Sequence, residues 1–427
     1  MITTKALKEK LASGQMRDIL LDIYADESML DYQTKRYIRA AEKYESLFGA
    51  DEVMVLSAPG RSEVCGNHTD HQHGQILAAA VNLDAIAIAR PLENNRVKLV
   101  SGPYPKIEFT FDDLKKNPEE EGSTAALIKG VLAGMQERGY KVGGFQTYIT
   151  SDVLTGAGLS SSAAFETLIG TIVSHLYNDG RLDDVTNAII GQYAENVFFG
   201  KPCGLMDQMA CSVGSLVHVD FADPAKPVVE KVDFDMNSYG LSLCITDTKG
   251  SHADLTDEYA AVPEEMKKVA AYFGRDVLLG ITRSEVLENV ADIRKAAGDR
   301  AVLRALHFIA ENERVSTAVD ALKTGDIGTF LDTIKASGDS SYKFLQNVFS
   351  VKDVSHQSVS LALCVSEGAL GDRGVCRVHG GGFAGTIQAF VKNEAVEDYK
   401  KAMEGVFGEG SCHVLKIRKY GGMKVYE

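Results

Sequence analysis

Apolar side chains recur at three- and four-residue steps through the first 48 residues. In YQTKRYIRAAEKYESLFG the residues Tyr37, Ile38, Ala41, Tyr44 and Leu47 line one face; with TKALKEKLASG upstream, this predicts a helical entry segment over 1–48. From Val53 the period shortens. AIAIA (85–89), RVKLVS (96–101) and KIEFTF (106–111) alternate, which predicts antiparallel strands with one wet face. Helical spacing returns in TAALIKGVLAGMQERG, followed by a strand at FQTYITS. Phe165, Leu168, Ile169, Ile172, Val173 and Leu176 then mark a helix that stops near Gly180. Residues 258–350 are helical in period, and the last 70 mix strands with the helix EAVEDYKKAMEGVFG. The pattern predicts an α+β fold of mixed sheets packed against helices. VDFDMNSYG divides it into lobes at 49–235 and 236–427, with a cleft between them.

A chain of 427 residues exceeds what one hydrophobic core of roughly 250–300 residues serves, which supports two lobes. The net charge of −14 argues against nucleic acid or an anionic membrane as a partner, because phosphate-backbone binding needs clustered Lys and Arg. No run approaches ~18 apolar residues, and MITTKALKEKLASGQ has no signal-peptide core. Seven cysteines without a CxxC pair read as reduced thiols, so a cytoplasmic protein is expected; a monomer is the expected state.

Four stretches concentrate the chemistry. GAGLSSSAA (156–164) lies between a predicted strand and the helix at Phe165. Its glycines let backbone amides converge on an anion at a helix N-terminus, and Ser160, Ser161 and Ser162 fall at the N-cap and first turn. Ser162 and Glu166 could hold Mg2+ through oxygen; a first-turn carboxylate favoured by the helix dipole is the alternative for Glu166. KPCGLMDQMACSVG sets Asp207 among apolar neighbours, where it needs a cationic partner, and Arg61 is the candidate. GRSEVCGNHTDH (60–71) gathers Arg61, Glu63, Asn67, His68 and Asp70. His68, Asp70, His71 and His73 also form a possible zinc cluster, with solvent-facing His71 and His73 as the plainer reading. CRVHGGGFAGTIQAF supplies three successive glycines between two strands.

In order and spacing, SAPGR with GNHTDHQHG, PCGLMDQ, GAGLSSSAAFE, ITDTKGSHADLTDEY and RVHGGGFAG resemble the GHMP small-molecule kinases, and within them the galactokinases, from about residue 35 onward. The resemblance implies the two-lobed GHMP fold and an ATP-dependent sugar 1-kinase that uses Mg2+ and acts on galactose. It implies that Asp207 faces the hydroxyl to be phosphorylated with Arg61 beside it. Glu63, Asn67, His68, Asp70, Gly204 and Tyr259 would form the sugar pocket, and Gly156, Ala157, Gly158, Leu159, Ser160, Ser161 and Ser162 would wrap the ATP phosphates. Glycines 380–382 would support the site from the second lobe. Where galactokinases read GRxNxxGEHTDY, this chain exchanges the asparagine and glutamate as Glu63 and Asn67, which predicts that the two side chains meet. The exchange leaves a related sugar (galacturonate, N-acetylgalactosamine or arabinose) as an alternative substrate, and a non-catalytic sugar and ATP sensor as a second reading. Thr124 stands near the place of an aromatic that relatives offer to adenine.

Overall fold

A computed structural model describes residues 1–154, 158–250 and 255–426. Among them, nine strands form one sheet: β1 (Ile2–Thr3), β2 (Glu52–Cys65), β3 (Gln75–Pro91), β4 (Arg96–Ser101), β5 (Ile107–Thr110), β6 (Phe145–Ser151), β7 (Leu216–Asp220), β8 (Val228–Val232) and, from the far end of the chain, Met423–Lys424. Its main path runs β1-β2-β3-β6-β4-β5, with β7 and β8 continuing from β3. The pairing of β4 with β6 is parallel, so the expectation of purely antiparallel strands fails there. A second, antiparallel sheet has the order β10-β11-β9-β12, from β9 (Leu241–Asp247), β10 (Gly374–His379), β11 (Thr386–Lys392) and β12 (Cys412–Leu415). The last strand, Met423–Lys424, is β13 and pairs with β2.

The expected wet face on Ala85–Ala89 is absent, because helices cover both sides of the sheet. Ile86 and Ile88 pack beneath α1 (Thr4–Ala12), α2 (Arg17–Tyr24) and α3 (Leu30–Phe48), while Ala85, Ala87 and Ala89 face α4 (Thr124–Glu137) and α5 (Ser161–Tyr177). The small residues of the alternation let helices approach closely, and the large ones fill the opposite layer. Helix α5 is buried almost all round, flanked by α6 (Asp184–Tyr193) and α7 (Met206–Val213). The second half adds α8 (Thr256–Tyr272), α9 (Arg283–Glu288), α10 (Val290–Ala297), α11 (Asp299–Thr324), α12 (Ile327–Ser340), α13 (Ser358–Leu370) and α14 (Val396–Phe407). One apolar cluster joins Val64, Leu77 and Leu159 to Leu243, Val315 and Phe390, so the two halves share a core. No helix among the described residues is long and apolar enough to cross a membrane.

Candidate active site

Strands β2 and β3 lose register between Pro59 and Arg61. The irregularity brings Gly60 against the glycine-serine turn, where an added Cβ would press within 2.9 Å of both the Leu159 carbonyl and Val153. Arg61 follows, its backbone N–H donating to Leu159 O (3.1 Å) and the residue only 6% exposed. Its guanidinium donates through Nε to Asp207 Oδ1 (2.7 Å) and through Nη1 to the Gly158 carbonyl. Asp207 lies in the first turn of α7, and its second oxygen accepts the Ser160 hydroxyl. Ser160 occupies the N-cap position of α5 at φ +55°, but its hydroxyl goes to Asp207 instead of capping the helix. Burial works to raise the Asp207 pKa. The charge and hydrogen bond of Arg61, with the Ser160 hydroxyl, outweigh it and hold the carboxylate below its ordinary range. Gly156 and Ala157 lie outside the described residues.

Beside this pair, Asp70 sits in a short helical turn, its Oδ1 accepting from the His71 N–H (2.9 Å). A Cβ at Gly204 would land on the Asp70 carboxylate, so only glycine allows the two segments to approach this closely. His68 Nε2 donates to the Gly381 carbonyl (3.1 Å), while its Nδ1 faces His71 Nε2 at 3.3 Å. Tyr259 donates to the Gly382 carbonyl (2.8 Å), and burial pushes its hydroxyl up to about 12. His71 is therefore not the solvent-facing residue expected: it is partly buried against His68, and burial pulls its pKa down to about 3. Among the described residues no cluster of three or more His, Cys, Asp or Glu could hold a metal ion, so the four candidates in HTDHQH do not form a zinc site.

Glu63 and Asn67 do meet: Asn67 Nδ2 donates to Glu63 Oε1 at 2.9 Å. Both are buried. Asn67 Nδ2 also donates to the Gly380 carbonyl (2.7 Å), and its Oδ1 accepts from Ser341 (3.2 Å) and Asn347 (2.8 Å). Those four bonds use both donors and both lone pairs of the amide. Glu63 also accepts from Arg377 Nη2 (2.9 Å), an ion pair exposed by 3% and 0%. The Asn67 side-chain amide is thus fully committed to the protein, and Glu63 Oε1 is shared between Asn67 and Arg377.

Ser162 Oγ lies 3.5 Å from Glu195 Oε1, a residue that the sequence reading missed. Glu166 lies beyond the first turn of α5 and is joined to Glu195 by Gln208, whose Nε2 donates to both carboxyl groups (3.1 and 3.0 Å). Its Oε1 finds no hydrogen-bond partner among the described residues. Burial, then the charge of Glu195, push the Glu166 pKa well above the carboxylate range. Lys201 Nζ completes the cluster, 3.1 Å from Glu195. Glu195 sits in a π-helical turn, Ala194–Phe199, and no local pattern in the sequence connects it to the serines.

The glycine-serine segment at the start of α5, the Arg61–Asp207 ion pair and the neighbouring Asp70 and His68, on this two-sheet scaffold, match a small-molecule kinase of the GHMP class. The GHMP kinases N terminal domain matches residues 126–215, and the Galactokinase galactose-binding signature matches 42–91. Mevalonate kinase of Methanococcus jannaschii shares the fold at TM-score 0.60 and 14% identity, covering 86% of this chain and 98% of that one. More specifically, the chain belongs to the galactokinase family. It is 30% identical to a galactokinase of Streptomyces coelicolor over 88% of this chain and 94% of that protein, and 30% identical to one of Actinobacillus pleuropneumoniae over 85% and 91%. A galactokinase of Lactococcus lactis, solved with galactose, superposes at TM-score 0.77 with 26% identity, covering 90% of this chain and 98% of that one.

Proposed function

We propose that this chain is an ATP-dependent galactose 1-kinase that transfers the γ-phosphoryl group directly to the C1 hydroxyl. The observation that carries the reading is the Arg61–Asp207 pair, closed on one side by the Gly158–Ser160 turn and flanked by Asp70, His68 and Gly204. Phosphoryl transfer needs alignment and charge stabilisation more than covalent help. Asp207, kept ionised by Arg61, orients the sugar hydroxyl and accepts its proton. The Ser160 hydroxyl marks where that acceptor is directed before the sugar arrives. Arg61 spans the turn and the carboxylate, so one cation serves both the transferred group and the proton acceptor. Gly158, Leu159, Ser161 and Ser162, with Gly156 and Ala157, belong to the phosphate side.

The hard oxygen donors of Ser162 and Glu195, set beside that turn, fit Mg2+. Bound there, the ion would neutralise phosphate charge. Glu166 then supports Glu195 through Gln208 and is not itself a ligand. Asp70, His68, Gly204 and Tyr259 line or brace the sugar pocket, with Asn67 and Glu63 behind its wall. We assign the lobes to 49–235 and 236–427, with the last strand, β13, returning to the first lobe's sheet and residues 1–48 capping that lobe.

A coupled ADP-release assay across galactose, galacturonate, N-acetylgalactosamine and arabinose tests the substrate. Galactose is expected to give the highest kcat/KM. Faster turnover of galacturonate would overturn the choice of sugar, and no ADP release with any sugar would favour the sensor.

A further inference from the structure

The loop that carries His68 and Asp70 is fastened by a residue from the opposite half of the chain. Glu311, on α11, is fully buried. Its Oε1 accepts from the backbone N–H groups of Gly66 (3.1 Å) and Asn67 (3.3 Å), from the Ser337 hydroxyl and, weakly, from the Cys65 thiol (3.6 Å). Arg314 Nη1 donates to the other oxygen at 2.9 Å. One turn earlier on the same helix, His307 Nε2 lies 3.0 Å from the Asn67 carbonyl. Both backbone groups of Asn67, the residue directly before His68, are therefore held by α11. The turn itself requires Gly66, at φ +101°, where a Cβ would come within 2.7 Å of the Gln75 carbonyl.

Burying a carboxylate is costly unless it is paired and hydrogen-bonded, and an apolar residue would fill the same volume without that cost. Here burial works to raise the Glu311 pKa, but His307, Arg377, Arg314 and the Ser337 hydroxyl outweigh it and leave the group at about 2. A charged acceptor makes stronger bonds to backbone amides than a neutral one.

We propose that Glu311 is a positioning residue of the sugar site, a charged anchor on α11 that fixes the backbone of Gly66 and Asn67 so that His68 and Asp70 are presented to the substrate. The role assigned to that loop rests on the sugar-kinase reading above; the anchoring itself does not.

Glu311→Gln, assayed in the full chain with galactose and ATP varied separately, is expected to raise the galactose KM about tenfold while the ATP KM and kcat stay within about twofold. Hydrogen exchange at the Gly66 and Asn67 amides should accelerate, with α12 protection unchanged. An unchanged galactose KM, or equal rises in both KM values, would overturn the proposal. Should Glu311→Gln not fold, Ser337→Ala keeps the carboxylate and removes one donor. It should raise the galactose KM alone by about threefold, and no rise would count against the anchor. If the wild-type protein phosphorylates no sugar, the kinase reading fails, and exchange at residues 66 and 67 still decides whether Glu311 holds the loop.

Discussion

Glu195 and Glu166 share one donor, Gln208, yet Glu195 is the one facing the Ser162 hydroxyl. If Glu195 holds the metal, Glu195→Gln should lower kcat about 100-fold, or about 2.7 kcal/mol of barrier, whereas Glu166→Gln should cost less than about fivefold. The reverse ranking in steady-state assays at saturating Mg2+ would return the metal to Glu166. The exchanged pair behaves as one unit: Glu63 and Asn67 bond to each other, and each is held from the second half, by Arg377 and Asn347. A double-mutant cycle of Glu63→Ala and Asn67→Ala, read by urea denaturation, should give a coupling energy of about 1–3 kcal/mol. Simple additivity would contradict the contact. The four-residue spacing made this pairing legible in the sequence. It could not reveal that the amide has no bond left for a sugar, because the other partners arrive from Gly380, Ser341 and Asn347, far along the chain.

At the scale of elements, α3 shows where periodicity succeeds and where it stops. Tyr37, Ala41 and Tyr44 are buried as their spacing predicts, but Leu47 is 39% exposed, and the same helix buries Gln33 and Arg36. Arg36 reaches Asp84 on β3 (Nη1 to Oδ1, 2.6 Å), whose other oxygen accepts from Tyr24 (2.9 Å), Ser57 and Arg418 (3.0 Å). It also pairs with Asp152 (3.0 Å), just before the glycine-serine turn. A hydropathy pattern treats Arg36 as a surface residue. Only the sheet and the C-terminal segment, which supply its partners, show it to be internal. Arg36→Met should therefore destabilise the protein by about 3–5 kcal/mol, because Asp84 keeps its charge in a dry site with one cation fewer. A loss under about 1 kcal/mol in equilibrium unfolding would show that Arg418 alone suffices.

For the whole molecule, the α+β class, the strongly periodic helices and strands and the principal motifs were readable, since each rests on local period or local turn chemistry, whereas β1 within the helical entry segment and the elements α6, α7, β7 and β8 were not. The shared core and the bonds from α11, β10 and β11 to the first motif were not, because they join residues distant in sequence. They also give the fold a pH signature. His307 is fully buried and held at about 4, below its ordinary 6.5, by burial above all. The native state thus binds fewer protons than the unfolded chain between these values. The stability His307 contributes is complete above pH 6.5 and is lost as pH falls toward 4, about 3 kcal/mol at ~1.4 kcal/mol per pKa unit. His71, at about 3, acts in the same sense. Below the ordinary glutamate value of 4.5, Glu311 adds a further loss as pH falls toward 2. The midpoint of urea unfolding should drop steeply from pH 6.5 to 4 and less steeply in His307→Gln; equal slopes would contradict the assignment.

The central claim is phosphoryl transfer to the C1 hydroxyl of galactose by the Arg61–Asp207 site. Phosphorus NMR of the wild-type protein with galactose, ATP and Mg2+ tests it most directly. The predicted result is a single new sugar-phosphate resonance coupled to the anomeric proton, formed about 1000-fold more slowly by Asp207→Asn. Release of inorganic phosphate alone, a phosphate on another hydroxyl, or an undiminished rate in Asp207→Asn would contradict it.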